Sequence, residues 1–241
     1  LLAENGADHA LRLSAAAGSP FPANLDAVPW TIVETPDQVT FTFDNGQGLV
    51  LEKVLRHAPQ QRGFVLEVAL HNQRSNATGN VDLTLGGATL VLPQETSLFG
   101  TVAVAIAAPR EGTPQSHAPG ALKPFTVDAH ALSFAGTTNR FFGAFVWPLD
   151  AAAATALASL TADAQPPADT EYTKAHAVAR MRYGLQLAVP AVGAETRARF
   201  GLYFGPKAYS VFATLPEGER ERFAPILDVD LNTPCCFIEM P

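Results

Sequence analysis

The sequence predicts a large all-β domain, an antiparallel sandwich, and three observations predict it. Apolar and polar residues alternate with period two, most cleanly in Val39-Thr40-Phe41-Thr42-Phe43, and that period marks a half-buried strand. Glycine and proline, 18 and 19 in number, fall mostly between the alternating runs, where turns need them. The runs recur at short intervals with no regular helical alternation between them, which argues against βαβ units.

The elements follow in order. After the first run, Asp44-Asn45-Gly46 reads as a turn, because Asn and Gly accept positive φ cheaply. Leu49 to Arg56 is the partner strand. Gly63 to Leu70 and Val81 to Leu85 come next, the latter ended by Gly86-Gly87. Leu98 to Ala107, Ala131 to Ala135, Arg140 to Trp147, Ala179 to Val189 and Thr196 to Phe204 complete the expected strands. Two segments read as helical. Asp150 can cap an alanine-rich helix reaching Leu160. Pro206 suits a first helical position, and Pro216-Glu217-Gly218 should split the stretch from Pro206 to about Phe223 into two short helices. Pro114 to Pro124 reads as a surface loop. The expectation is one domain over residues 1–241, with a strand core from about 30 to 205 and a helical segment from about 206 to 223.

Composition narrows the function. With 47% hydrophobic and 16% charged residues the chain is globular rather than disordered. A formal net charge of -7 leaves no basic footprint for nucleic acid or anionic lipid. Cys235 and Cys236 are adjacent, which suits neither a disulfide framework nor zinc spacing. No apolar run has the length of a membrane span; Thr101 to Pro109 reads as a buried strand. The opening Leu-Leu-Ala-Glu, without a signal peptide or starting Met, reads as part of a longer protein cut at both ends.

Catalytic motifs are scarce. The histidines, His9, His57, His71, His117, His130 and His176, form no zinc motif. There is no Gly-x-Ser-x-Gly, and Gly86-Gly87 lacks a P-loop lysine. Glu52 and Glu67 lie on expected strands, where an acid–base pair facing one cleft competes with ordinary surface solvation. Phe41, Phe43, Phe64, Phe141, Phe142, Phe145 and Trp147 fall inside strands, where core packing accounts for most of them.

Two segments resemble the YidC insertase family. One is Phe134-Ala135-Gly136-Thr137-Thr138-Asn139-Arg140-Phe141-Phe142-Gly143-Ala144-Phe145-Val146-Trp147-Pro148. It is similar to that family's small residue, Gly, polar stretch, basic residue, paired aromatics and small-apolar strand ending in Pro. The other, Leu202-Tyr203-Phe204-Gly205-Pro206-Lys207-Ala208-Tyr209, is similar to the family's Tyr-x-Gly-Pro-Lys-x-Tyr. Val39 to Asn72 is a weaker third match. Ala208 departs from the acidic residue usual after the lysine, and Leu231 to Pro241 is unlike the family's approach to its next membrane span.

The resemblance implies a β-supersandwich akin to the galactose-mutarotase fold, with short C-terminal helices. It implies a periplasmic domain of a bacterial inner-membrane insertase and chaperone; with no metal motif among the residues, neither cofactor nor metal is expected. It also implies contacts with Sec translocon accessory subunits and nascent membrane proteins. The insertion groove belongs to the family's membrane-embedded half, so insertase activity itself is not expected in this chain. Phe141, Phe142, Tyr203, Gly205, Pro206, Lys207, Tyr209 and Phe212 are the candidate partner-binding or structural motif. The competing expectation is a mutarotase-like carbohydrate-binding protein or enzyme. His71 or His176 beside a carboxylate in an aromatic-lined cleft would favour it, and histidines dispersed over the surface would favour a scaffold. At the C-terminal junction, Leu202 to Phe204 should be the last core strand. Gly205-Pro206 should turn into a helix, Tyr209 and Phe212 should dock on one face, and Lys207 should point to solvent.

Overall fold

The alternating runs become two packed antiparallel sheets in a computed structural model of the chain. It describes residues 10–59, 63–88, 104–117, 125–139, 142–165, 178–215 and 217–231. The strands are β1 Leu13–Ala15, β2 Thr31–Glu34, β3 Gln38–Asp44, β4 Leu49–Ala58, β5 Gly63–Asn72, β6 Asn80–Gly86 and β7 Val104–Pro109. They continue with β8 Gln115–His117, β9 Leu132–Thr138, β10 Phe142–Pro148, β11 Leu157–Gln165, β12 Val178–Ala188 and β13 Glu195–Pro206. Helices α1 Ala151–Ala156, α2 Tyr209–Phe212 and α3 Glu217–Leu231, with 3-10 turns at Leu25–Ala27 and Ala129–Ala131, complete the described elements. The larger sheet has nine strands in the order β2-β3-β4-β5-β13-β10-β9-β7-β8, and the smaller has four in the order β1-β6-β12-β11.

The period-two pattern sorts side chains between faces. Leu49 and Leu51 on β4, Leu66, Val68 and Leu70 on β5, and Ala198, Phe200 and Leu202 on β13 point inward. There they meet Val81, Leu83 and Leu85 of β6 and Met181, Tyr183, Leu185 and Leu187 of β12. Tyr183, fully buried, donates its hydroxyl to the Ala135 carbonyl of β9 at 2.9 Å and so ties one sheet to the other. Burial pushes its phenol far above the ordinary tyrosine range.

Local chemistry explains the tight places. In the β3–β4 turn, Asn45 Oδ1 accepts from the backbone N–H of Gln47 at 2.8 Å and of Leu49 at 3.0 Å. Gly46 there takes φ +72°, which a side chain would strain. Asp150 caps α1 by accepting from Ala153 N at 2.7 Å.

Several expectations need correction. The helix expected from Asp150 to Leu160 ends at Ala156, and Leu157 opens β11, which pairs with β12. Residues 115–117 form the edge strand β8 rather than loop. The strand core begins at Leu13, before residue 30. Pro206 is the last residue of β13, opposite Phe142, and not the first of a helix; α2 starts at Tyr209 and α3 continues past Phe223 to Leu231. The cysteine pair, the first six residues of the expected strand at 98–107, and His176 lie outside the described residues. Among the described residues no helix is long and apolar enough to cross a membrane.

Candidate functional site on the outer face of the large sheet

Residues opposite in register share a face, so the pairings of β4, β5, β13 and β10 place one row of side chains on the outer face, away from the small sheet. That face has two halves. Over β13, β10, β9 and β7 lies an aromatic cluster: Phe134, Phe145, Trp147 and Tyr203 from the strands, roofed by Phe212, Leu215, Phe223 and Ile226. Glycine makes room for it. A Cβ on Gly201 would come 2.1 Å from the Trp147 ring, and one on Gly143 would come 2.2 Å from the Phe145 ring.

The candidate motif divides accordingly. Tyr203 is buried, stacks on Phe145 at 6.2 Å and donates to the Pro206 carbonyl at 2.7 Å. Phe212 is buried against Tyr203 at 5.8 Å. Phe142 and Gly205 are half-buried at the end of the β10–β13 ladder. Phe141 lies outside the described residues, and Tyr209 contributes its backbone to α2. Tyr203 and Phe212 therefore help hold the helical cap to the sheet.

Lys207 departs from expectation. It is half-buried rather than solvated, and its ammonium is shielded from water. Burial pulls its pKa down to about 8. The unfolded lysine then binds a proton that the folded one releases, so stability should rise as pH goes from about 8 towards the ordinary lysine value. Because the side chain remains partly open to solvent, the gain should be on the order of 1 kcal/mol. Lys207→Met should abolish this alkaline rise in urea melts. An unchanged pH profile would place the ammonium in water.

Next to Lys207's helical cap, α3 brings two more shielded charges. The Arg222 guanidinium sits 5.4 Å from the Trp147 ring centre, and burial lowers its pKa despite neighbouring Glu219. Burial likewise raises Glu219 above the ordinary carboxylate range, with Arg222 opposing the shift.

The other half, over β4, β5 and β13, is a charged ladder. Glu67 is almost wholly buried and takes Arg197 at 2.7 Å and Arg56 at 3.1 Å. Arg197 also reaches Glu195 at 3.1 Å. The hydrogen bonds it donates to Glu195 and then to Glu67 hold its guanidinium above its ordinary pKa. His71 stands between two carboxylates, with Nδ1 3.3 Å from Glu195 and Nε2 3.9 Å from Glu52. Glu52 and Glu67 thus do share one face, but Glu67 is committed to two arginines. Farther along, Arg199 pairs with Asp150 at 2.8 Å.

The condition set for a carbohydrate site is half met. His71 has its carboxylates, yet its other neighbours on the face are Val50, opposite it on β4, and Ala69, two residues along β5; the aromatic cluster is roofed by α2 and α3 instead. His57 and His130 are exposed, and His117 packs on Phe125 at 4.6 Å. Among the described residues no group of three or more His, Cys, Asp or Glu is placed to hold a metal ion. Sequence reasoning missed Glu195, Arg197 and Phe223. The i, i+2 spacing of Glu195, Arg197 and Arg199 was the available signal for the ladder.

No family model matches the chain. No curated protein matches it. Among solved structures, a galactose mutarotase-like protein from Lactobacillus casei ATCC 334 is similar over 73% of this chain and 72% of that one, at 10% identity and a TM-score of 0.49. The heparan sulfate lyase HepC mutant from Pedobacter heparinus is similar over 74% of this chain but 22% of that one, at 8% identity and a TM-score of 0.32.

Proposed function

We propose that this chain is the non-enzymatic periplasmic domain of a YidC-type membrane-protein insertase, holding partners beside the insertion machinery. One observation carries the reading. The two segments that resemble that family are neighbours in the sheet, Phe142 pairing with Pro206 and Pro148 with Phe200. Together with α2 and α3 they build the aromatic cluster at the C-terminal junction. A segment leaving such a cap towards a membrane span would couple the sandwich to the insertase core. The proposed partners are Sec translocon accessory subunits and nascent membrane proteins. The immobilised chain should retain purified Sec accessory subunits above an unrelated β-sandwich. No retention, combined with a reading frame that lacks flanking membrane spans, would overturn the proposal.

His71 between Glu195 and Glu52 favours a second reading, acid–base handling of a sugar ring. On the scaffold reading the purified chain leaves aldose mutarotation at the buffer rate, and His71→Gln changes nothing. Turnover above buffer that disappears in His71→Gln would move the conclusion to the carbohydrate reading.

A further inference from the structure

We propose that the outer edge of β2 accepts an extended, cationic, β-branched peptide segment as an added strand. The proposal stands on the hairpin's geometry and charge, and is independent of the insertase reading.

β2 is the terminal strand of the nine-stranded sheet and pairs only with β3 among the described strands. All four of its residues are exposed, with Ile32 at 59% and Val33 at 55%. The register tells which backbone groups are open. Thr35 N donates to Gln38 O at 2.9 Å, which makes Thr35 and Gln38 a hydrogen-bonded pair. In an antiparallel ladder such pairs recur every second residue, so Val33–Thr40 and Thr31–Thr42 are bonded likewise. The N–H and C=O of Ile32 and Glu34 therefore point away from β3, towards solvent. Ile32 lies on the face of Phe41, and Val33 on the opposite face with Thr40. An added strand would meet an apolar side chain on each side.

Edge strands are usually blunted by lysine, a bulge or a cover. Among the described residues β2 has none of these. Pro29 and Pro36 bracket it and confine the open stretch to its own length. Charge selects the occupant. Asp26, Glu34, Asp37, Asp44 and Glu52 fall between Arg12 and Lys53 along the chain; of the cations that β4 brings alongside β3, Lys53 lies over the Phe41 and Trp30 rings and Arg56 is held by Glu67 and Gln38. Asp26 is engaged by Arg12; Glu34 and Asp37 are exposed at the hairpin itself. A second copy would bring two such acidic hairpins together on chains of net charge -7, which works against self-pairing. A segment alternating threonine and valine with lysine at its ends matches both the apolar faces and the carboxylates.

The test uses the whole chain, isotope-labelled, and a short end-capped peptide of alternating threonine and valine flanked by lysines. Binding should slow amide exchange and shift resonances at Ile32 and Glu34. Ile32→Pro removes an outward N–H without touching the β2–β3 bonds, and should weaken binding about tenfold. If that variant does not fold, the same peptide N-methylated along its pairing edge supplies the comparison and should fail to bind. Glutamates in place of the lysines should weaken binding similarly. No shifts at millimolar peptide, shifts elsewhere, equal affinity for the glutamate peptide, or a dimer closed through β2 would each overturn the proposal.

Discussion

Replacing Phe223 by alanine should destabilise the protein by about 4 kcal/mol, near the upper range for a buried aromatic. Its ring is wholly buried at the centre of the outer cluster. Its centroid lies 5.2 Å from Trp147, 5.5 Å from Phe145, 5.6 Å from Phe134 and Tyr203, and 5.8 Å from Phe212. Truncation leaves a void that rigid strand residues beneath cannot fill. Phe212, at the margin of the cluster, should cost about 3 kcal/mol on the same change, and the two losses should not add because the rings touch. Urea melts give the comparison. A loss below about 1 kcal/mol for Phe223→Ala would mean that the helical cap contributes little to the folded state.

Gly136→Ala should be at least as damaging, about 4 kcal/mol or failure to accumulate folded protein. Gly136 faces Phe145 across the β9–β10 ladder. A Cβ there would sit 1.9 Å from the Ala144 carbonyl oxygen and 2.9 Å from its carbon. The obstacle is backbone in the middle of a sheet, so no rotamer change relieves it. Gly218 is the internal control. It lies in α3, where an added methyl would meet nothing within 4 Å, and alanine there should stabilise by about 0.5–1 kcal/mol through helix propensity. Thermal melts of the two variants should move in opposite directions. A Gly136→Ala protein melting like the parent would contradict the β9–β10 pairing.

The sandwich is legible in the sequence because its core strands are amphipathic in a way only a sheet explains. Val39 to Phe43 alternates strictly enough to place its faces, Gly63 to Leu70 is an apolar run bounded by turn residues, and Asp44-Asn45-Gly46 could hardly be other than a turn. Leu157 to Leu160 misleads because alanine-rich sequence favours helix intrinsically, whereas pairing with β12 overrides that preference. Pro206 misleads for a related reason. A proline suits a first helical turn, but at the last rung of a strand its missing N–H is equally harmless. The ladder around Glu67 and His71 joins residues more than a hundred positions apart. Only the register of β5 with β13 brings them together, and residue types alone do not encode a register. The burial of Lys207 is equally hidden, because a lysine's residue type says nothing of whether the fold shields its ammonium.

β13 has a consequence for how the molecule comes into being. It is the last of the described strands along the chain, yet it lies in the middle of the large sheet, between β5 and β10. A ribosome delivers it after all of those others. Before β13 is in place, whatever sheet can form is divided into two portions, with unpaired hydrogen-bonding borders along β5 and along β10. Such unpaired borders are the kind of surface on which incomplete chains stick to one another. Closure also joins segments far apart along the polymer, which makes it slow. The strand order therefore leaves the central seam of the large sheet open until the last described strand is available to close it.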